Sequence, residues 1–248
     1  MEFIKIDNYN NWYIEVFNDE FQTKSLKYIL EHMLIKFEII FGRDIIDNEE
    51  CYVYIDSNSA CPMLHTGYDK LAIRLSTPET TYWAQVIYQL SHELCHYVLR
   101  QTSGGNETLK WFEETLCEAM SMYILKYFYE TWDDCILSRN NYNYRESIKK
   151  YLEDIYNSQY GTGLAECKSE KQLRILSRLS ERDRHERIRE RNIVYNIFKS
   201  EPDKIKLIAE YQRYRNDIII DFNEWKNERK DIFIEKLSEI HPRLDNVI

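Results

Sequence analysis

A chain of 248 residues with 44% hydrophobic and 14% aromatic content is long enough to bury a core and too apolar to stay disordered. Its formal net charge of −9 argues against bulk attraction to nucleic acid or to an anionic membrane, leaving room only for a local basic face. No run approaches roughly eighteen consecutive apolar residues, so no membrane span is predicted.

The N-terminal MEFIKIDNYNNWYIEVFNDEF lacks the basic start and apolar run of a signal peptide. Residues 3–6 and 12–17 read as short strands. Residues 21–41 (FQTKSLKYILEHMLIKFEIIF) carry apolar side chains at helical spacing, with Gly42 as a stop. Residues 51–56 (CYVYID) and 71–76 (LAIRLS) alternate at period two and are predicted strands, separated by a loop holding Pro62, His65 and Gly67. After Pro78 a helix is expected over 79–100, then a turn at Gly104 and Gly105, then a second helix from about 108 to 132. The remainder is helical in pattern and heavily charged, with breaks near 133–143, at 160–163 (YGTG) and at Glu201-Pro202. The expected class is α+β: a small mixed sheet with two site-bearing helices over 1–135, followed by an all-helical part over 136–248 packed on it or continuous with it. The six cysteines (Cys51, Cys61, Cys95, Cys117, Cys135, Cys167) form no CxxC pair, and without a secretion signal they are expected to be reduced thiols of a cytoplasmic protein.

The stretch SHELCHYVLR contains His92, Glu93 and His96 as H-E-x-x-H. At about 100° per residue, Trp83, Ile87, Leu90, Leu94 and Val98 fall on one apolar stripe, and His92 and His96 project roughly opposite it. Two imidazoles one turn apart can reach a single ion, while Glu93, offset to the side, could meet a water rather than the ion. By composition, an accidental match in a chain of this length has odds on the order of one in a hundred, so the outcome turns on a third ligand. The form H-E-x-x-H-x-x-G-x-x-H is ruled out by Leu99 and Thr102. The segment 111–123 (WFEETLCEAMSMY) offers the other solution, a glutamate on a following helix. Leu109, Phe112, Leu116, Met120, Tyr123 and Tyr127 form its apolar stripe, Glu114 and Glu118 lie together on the opposite side, and Glu113 sits between the two faces.

These residues resemble the gluzincin metallopeptidases, the group of thermolysin-like enzymes and zinc aminopeptidases, whose pattern is H-E-x-x-H, a spacer of about twenty residues and a helix bearing the glutamate ligand. Here seventeen residues separate His96 from Glu114. Trp111-Phe112-Glu113-Glu114 is similar to the aminopeptidase stretch in which an aromatic residue precedes the ligand by three. In thermolysin-like members an acidic residue one turn after the ligand orients a zinc histidine, and Glu118 matches it by spacing. The resemblance spans residues 87–123 and the strand before them. It includes no Asn-Glu-Gly or Gly-x-Met-x-Asn signature, so it does not distinguish endopeptidase from exopeptidase action.

The resemblance implies a zincin-like core and one Zn2+ held by His92, His96 and Glu114, with Glu93 as general base and Glu118 behind the ligands. It implies a peptide or protein substrate, paired with an edge strand for which Leu71, Ala72, Ile73 and Arg74 are the candidates. It also implies an oxyanion donor, a Tyr or His beyond the ligand helix, which the sequence does not single out among its tyrosines and His185.

Cys95 and Cys117, beside the proposed ligands, are expected to be small buried residues. The segment 168–199 holds ten Lys/Arg against five Asp/Glu, and its run ERDRHERIRER is expected to be a salt-bridged exposed helix without the aromatic interleaving of a nucleic-acid face. The competing function is a catalytically idle zincin-fold protein that binds a partner or nucleic acid through its helical half.

Overall fold

The computed structural model describes residues 1–66, 70–103, 109–159, 163–179, 185–242 and 244. The expected turn at Gly104 and Gly105, the start of the second helix at Thr108, Gly67 and most of the YGTG break therefore lie outside the described residues. The class is α+β: a five-stranded mixed sheet near the N-terminus followed mostly by helices. Internal contacts sort the chain into two compact units, residues 1–101 with 121–154 and residues 102–120 with 155–248.

The first unit holds the sheet. β1 (Phe3–Lys5) is antiparallel to β2 (Trp12–Glu15), which runs parallel to β3 (Cys51–Ile55). β3 runs parallel to β5 (Leu71–Leu75), and β4 (Met63–His65) closes the far edge antiparallel to β5, giving the order β1-β2-β3-β5-β4. Alternation does what the sequence predicts. Trp12, Ile14, Cys51, Val53, Leu71, Ile73 and Leu75 are buried, while Tyr13, Tyr52, Ala72 and Arg74 between them are half-buried on the other face. On that face Tyr13 and Tyr52 stack at 4.7 Å, a cross-strand pair.

Between β2 and β3 runs α1 (Glu20–Phe41), capped by Asp19, whose carboxylate accepts from the Phe21 N–H. Gly42 ends it with φ +91°, a backbone region that side-chain-bearing residues avoid, and its N–H bonds Glu38 O at 2.8 Å. The short α2 (Arg43–Ile46) follows, and its last carbonyl accepts from the buried Trp12 indole at 2.8 Å. The helix expected over 79–100 is α3 (Trp83–Ser103), and the second is α4 (Lys110–Thr131). Residues 121–131 of α4 belong to the first unit, as do two 3-10 turns at Trp132–Asp134 and Ile136–Asn140 and most of α5 (Tyr144–Tyr156). Trp83, Trp132 and Tyr144 form one aromatic cluster with ring separations of 4.6–5.8 Å.

The second unit begins with residues 102–120, which include the first half of α4, and resumes at residue 155. It contains α6 (Glu170–Leu179), α7 (Ile188–Ser200), a long 3-10 segment Pro202–Tyr214, the hairpin β6 (Arg215–Asn216) and β7 (Ile219–Ile220), α8 (Phe222–Arg229) and α9 (Ile232–Leu237). Its core stacks Phe198 on Phe233, and Tyr214 and Phe222 on Trp225. Among the described residues no helix is long and apolar enough to cross a membrane. All six cysteines stand as thiols, five of them buried and Cys61 exposed.

Candidate metal centre

The position of α3 is set by polar contacts along its length. Gln89 accepts from the Ser76 N–H at 2.8 Å, just past β5. The Tyr97 hydroxyl accepts from the Glu49 N–H and donates to the Glu49 carbonyl, both at 3.1 Å, while its ring packs 5.0 Å from Trp12. Gln101 donates to the Glu49 carboxylate at 3.0 Å. With Ile87, Leu90, Leu94 and Val98 buried as the apolar stripe requires, the rotation of α3 about its axis is fixed. The opposite face is not a solvated one, because His92 and Glu93 are each only 4% exposed.

His92 and His96 present their Nε2 atoms to each other at 3.2 Å, with ring centroids 4.9 Å apart and planes at 72°. Two nitrogens come this close when they share a proton or a cation. On one tetrahedral zinc with bonds of 2.0–2.1 Å they would stand about 3.3 Å apart, so the pair already has the required separation.

The first half of α4 is held just as firmly. The Trp111 indole donates to Ile218 O at 2.8 Å, and the Phe112 ring meets Tyr211 and Phe222. Tyr211 donates its hydroxyl to the Glu113 carboxylate, and burial beside that negative charge pushes the phenol far above its usual range. One turn further on, the fully buried Glu118 accepts from Arg187 at 2.8 Å and lies 3.8 Å from Arg191. Glu114 sits between these anchors, more open than either, its carboxylate 3.8 Å from Arg187.

One ligand atom each of His92, His96 and Glu114 lies within 4.8 Å of the other two. Two imidazole nitrogens and one carboxylate oxygen form the donor set of a catalytic zinc site with an open fourth position, so the residues present fit the ion. Glu113 is not in the cluster and is occupied by Tyr211. His185, a candidate donor by sequence, is exposed.

Two expectations need correction. The strand holding Leu71, Ala72, Ile73 and Arg74 is not an edge: β3 pairs with one side of it and β4 with the other. The edge belongs to β4, which the sequence reading left as loop because three residues between Pro62 and Gly67 show no alternation. Its His65 is half-buried and stacks toward Tyr54 at 6.5 Å. Burial, then Arg74, hold its imidazole below the usual range against an opposing pull from Glu93, so His65 lies within electrostatic reach of the proposed base.

Off the apolar stripe of α4, Glu113, Thr115, Glu118 and Ser121 are all buried. The described part of the charged run is not an exposed helix throughout: His185 and Arg189 are exposed, but Arg187, Glu190 and Arg191 are each 3% exposed or less. Arg191 reaches Ile155 O at 2.8 Å and Glu190 accepts from the Leu164 N–H at 3.0 Å, so these charges belong to a buried polar network. Arg187, with no sign of its role in the local sequence, is the site residue that sequence reasoning missed. Compared with protein-family models, with curated proteins and with solved structures, the chain finds no significant match.

Proposed function

We propose that this chain is a zinc-dependent peptidase of gluzincin type, acting on a peptide or protein substrate. The observation that carries the reading is the convergence of His92, His96 and Glu114 within 4.8 Å, with Glu93 buried beside the first of them. Zinc, when bound there, supplies Lewis acidity toward the scissile carbonyl and makes a water acidic enough to give up its proton near neutral pH. Glu93 then serves as the base: its carboxylate oxygen takes the proton from water and returns it to the leaving amine nitrogen. The buried carboxylates of Glu113 and Glu118 hold the ligand-bearing turn of α4. An extended substrate would pair with β4, the outer strand, in place of the inner strand Leu71–Leu75. The six thiols suit a reducing compartment, and we propose the cytoplasm.

A second reading, an idle site in a partner-binding protein, rests on the same 3.2 Å imidazole pair being bridged by a proton alone. The test is metal content followed by cleavage. Protein purified from zinc-supplemented medium should carry about one zinc per chain, and Glu93→Gln should keep the metal while losing cleavage of a peptide library by about 100-fold or more. Absence of metal in the wild type overturns the reading. Stoichiometric metal with no cleavage by the wild type overturns its peptidase half in favour of the idle site.

A further inference from the structure

We infer that Arg187 is the positioning residue of this site: a buried cation shared by Glu114 and Glu118 that sets how tightly the ligand cluster holds a divalent ion. The inference rests on the metal-site reading and deepens it. Arg187 is 1% exposed, among the largest fully buried side chains of the protein. Its Nη2 donates to Glu118 Oε1 at 2.8 Å and stands 3.8 Å from Glu114 Oε2, so one guanidinium nitrogen faces two carboxylates one helical turn apart. Glu118 is completely buried and Glu114 is 16% exposed at its side chain. The first is therefore the anchor of the cation and the second the group on which the cation acts.

The placement of Arg187 is itself enforced. It lies in the 3-10 turn His185–Arg187 at the start of α7, and the next turn of α7 carries Glu190 and Arg191. Glu190 holds the Leu164 N–H, and a Cβ on Gly163 would come within 3.0 Å of both Glu190 oxygens, so the loop closes tightly over this carboxylate. Arg191 is tied to Ile155 O and Ser158 and adds a second positive charge 3.8 Å from Glu118. A guanidinium fixed in this way restricts the rotamers of Glu114. The carboxylate then does not have to be ordered when an ion arrives, and the ligand set is preorganised. Lysine at this position would keep the charge but carry it as a strongly hydrated ammonium on a flexible stem, which orders the two acids less than a planar guanidinium does.

The experiment measures ion affinity directly, without reference to turnover. Zn2+ and Co2+ dissociation constants are determined by competition with a chromogenic chelator for the wild type, Glu118→Gln, Arg187→Lys and the double variant Glu118→Gln/Arg187→Met. The double variant removes one buried charge of each sign, whereas Arg187→Met alone leaves the buried Glu118 carboxylate without its nearest cation. Circular dichroism and urea unfolding establish that each variant is folded before its affinity is read. The double variant should bind both ions about 10–100-fold more weakly than Glu118→Gln, and the visible spectrum of its Co2+ form should differ from that of Glu118→Gln. Arg187→Lys should lie between the wild type and the double variant. Affinities of the double variant and Glu118→Gln within twofold of each other, with superimposable Co2+ spectra, overturn the role of Arg187 while the metal site stands. An Arg187→Lys protein with wild-type affinity and spectrum overturns it as well. A wild type that takes up neither ion overturns the metal-site reading itself, and this inference falls with it.

Discussion

His32 allows a quantitative test of the first unit's core. It lies in α1 at 8% exposure, between the Tyr127 ring, stacked at 5.0 Å, and the edge-on Phe128 ring at 4.8 Å. Its Nε2 is 2.9 Å from Thr131 Oγ1, whose single hydroxyl proton goes to Tyr127 O at 2.8 Å. Nε2 must therefore carry the hydrogen and donate it, and protonation would place a charge on Nδ1 inside the core. Burial lowers the imidazole from 6.5 to about 4, opposed by Asp134. The sign follows from proton binding. Between these two values the unfolded chain binds the proton and the native one does not, so stability rises with pH across that window and is lost as pH falls through it. At 1.36 kcal/mol for each tenfold change in proton affinity, the full effect is about 3 kcal/mol, of which about 2 kcal/mol is lost between pH 7.5 and pH 5. Urea unfolding of the wild type and of His32→Gln, measured at intervals across that range, isolates this contribution because all other titrating groups are shared. The stability difference between the two proteins should shrink by about 2 kcal/mol from pH 7.5 to pH 5. A difference that stays constant with pH would show that His32 binds its proton as readily in the fold as in the unfolded chain, and the reasoning from burial would be wrong.

Zinc at a free concentration a hundredfold above its dissociation constant should stabilise the native protein by about 2.7 kcal/mol. In a chain of this size that raises the calorimetric midpoint by about 5–10 °C, and His96→Ala should abolish the rise. Gly163→Ala should cost about 1–3 kcal/mol in urea unfolding, because φ is +65° with ψ −176° and the new methyl would meet the Glu190 carboxylate. A variant as stable as the wild type would contradict that geometry. Tyr211→Phe removes the donor to the buried Glu113 carboxylate and should destabilise by about 1–3 kcal/mol in the same assay. Its effect on zinc affinity reports separately how far that clamp extends to Glu114.

The long elements were legible because each is encoded locally. The helix expected over 21–41 starts at Glu20 and ends at Phe41, and the four predicted strands each appear with their ends trimmed by one or two residues. α3 begins four residues later than expected, since the stretch after Pro78 is spent in a turn, with Tyr82 N bonded to Glu79 O. β4 escaped detection because a three-residue edge strand exists through its hydrogen bonds to β5 and leaves no periodicity of its own. The proximity of His92, His96 and Glu114 was legible because residues at fixed helical offsets share a face, which brings their ligand atoms within 4.8 Å. Arg187 was not, because what makes its burial tolerable is Glu118, 69 residues away in sequence. A run of alternating charges looks the same whether its partners are water or a distant buried acid, so local pattern assigned it to solvent.

The distribution of thiols gives the molecule a built-in attachment point. Cys61 is exposed and stands two residues before β4, with its carbonyl 3.4 Å from the Arg74 guanidinium, while the other five cysteines are buried. Burial pushes Cys135 up to about 11 and raises Cys51 and Cys167 as well, so these thiols stay protonated and shielded from alkylating reagents. A maleimide added to the native protein therefore finds a single target, and the dye it delivers sits beside the outermost strand. Fluorescence from that one label would follow whatever docks along this margin, without any cysteine having to be engineered in or removed.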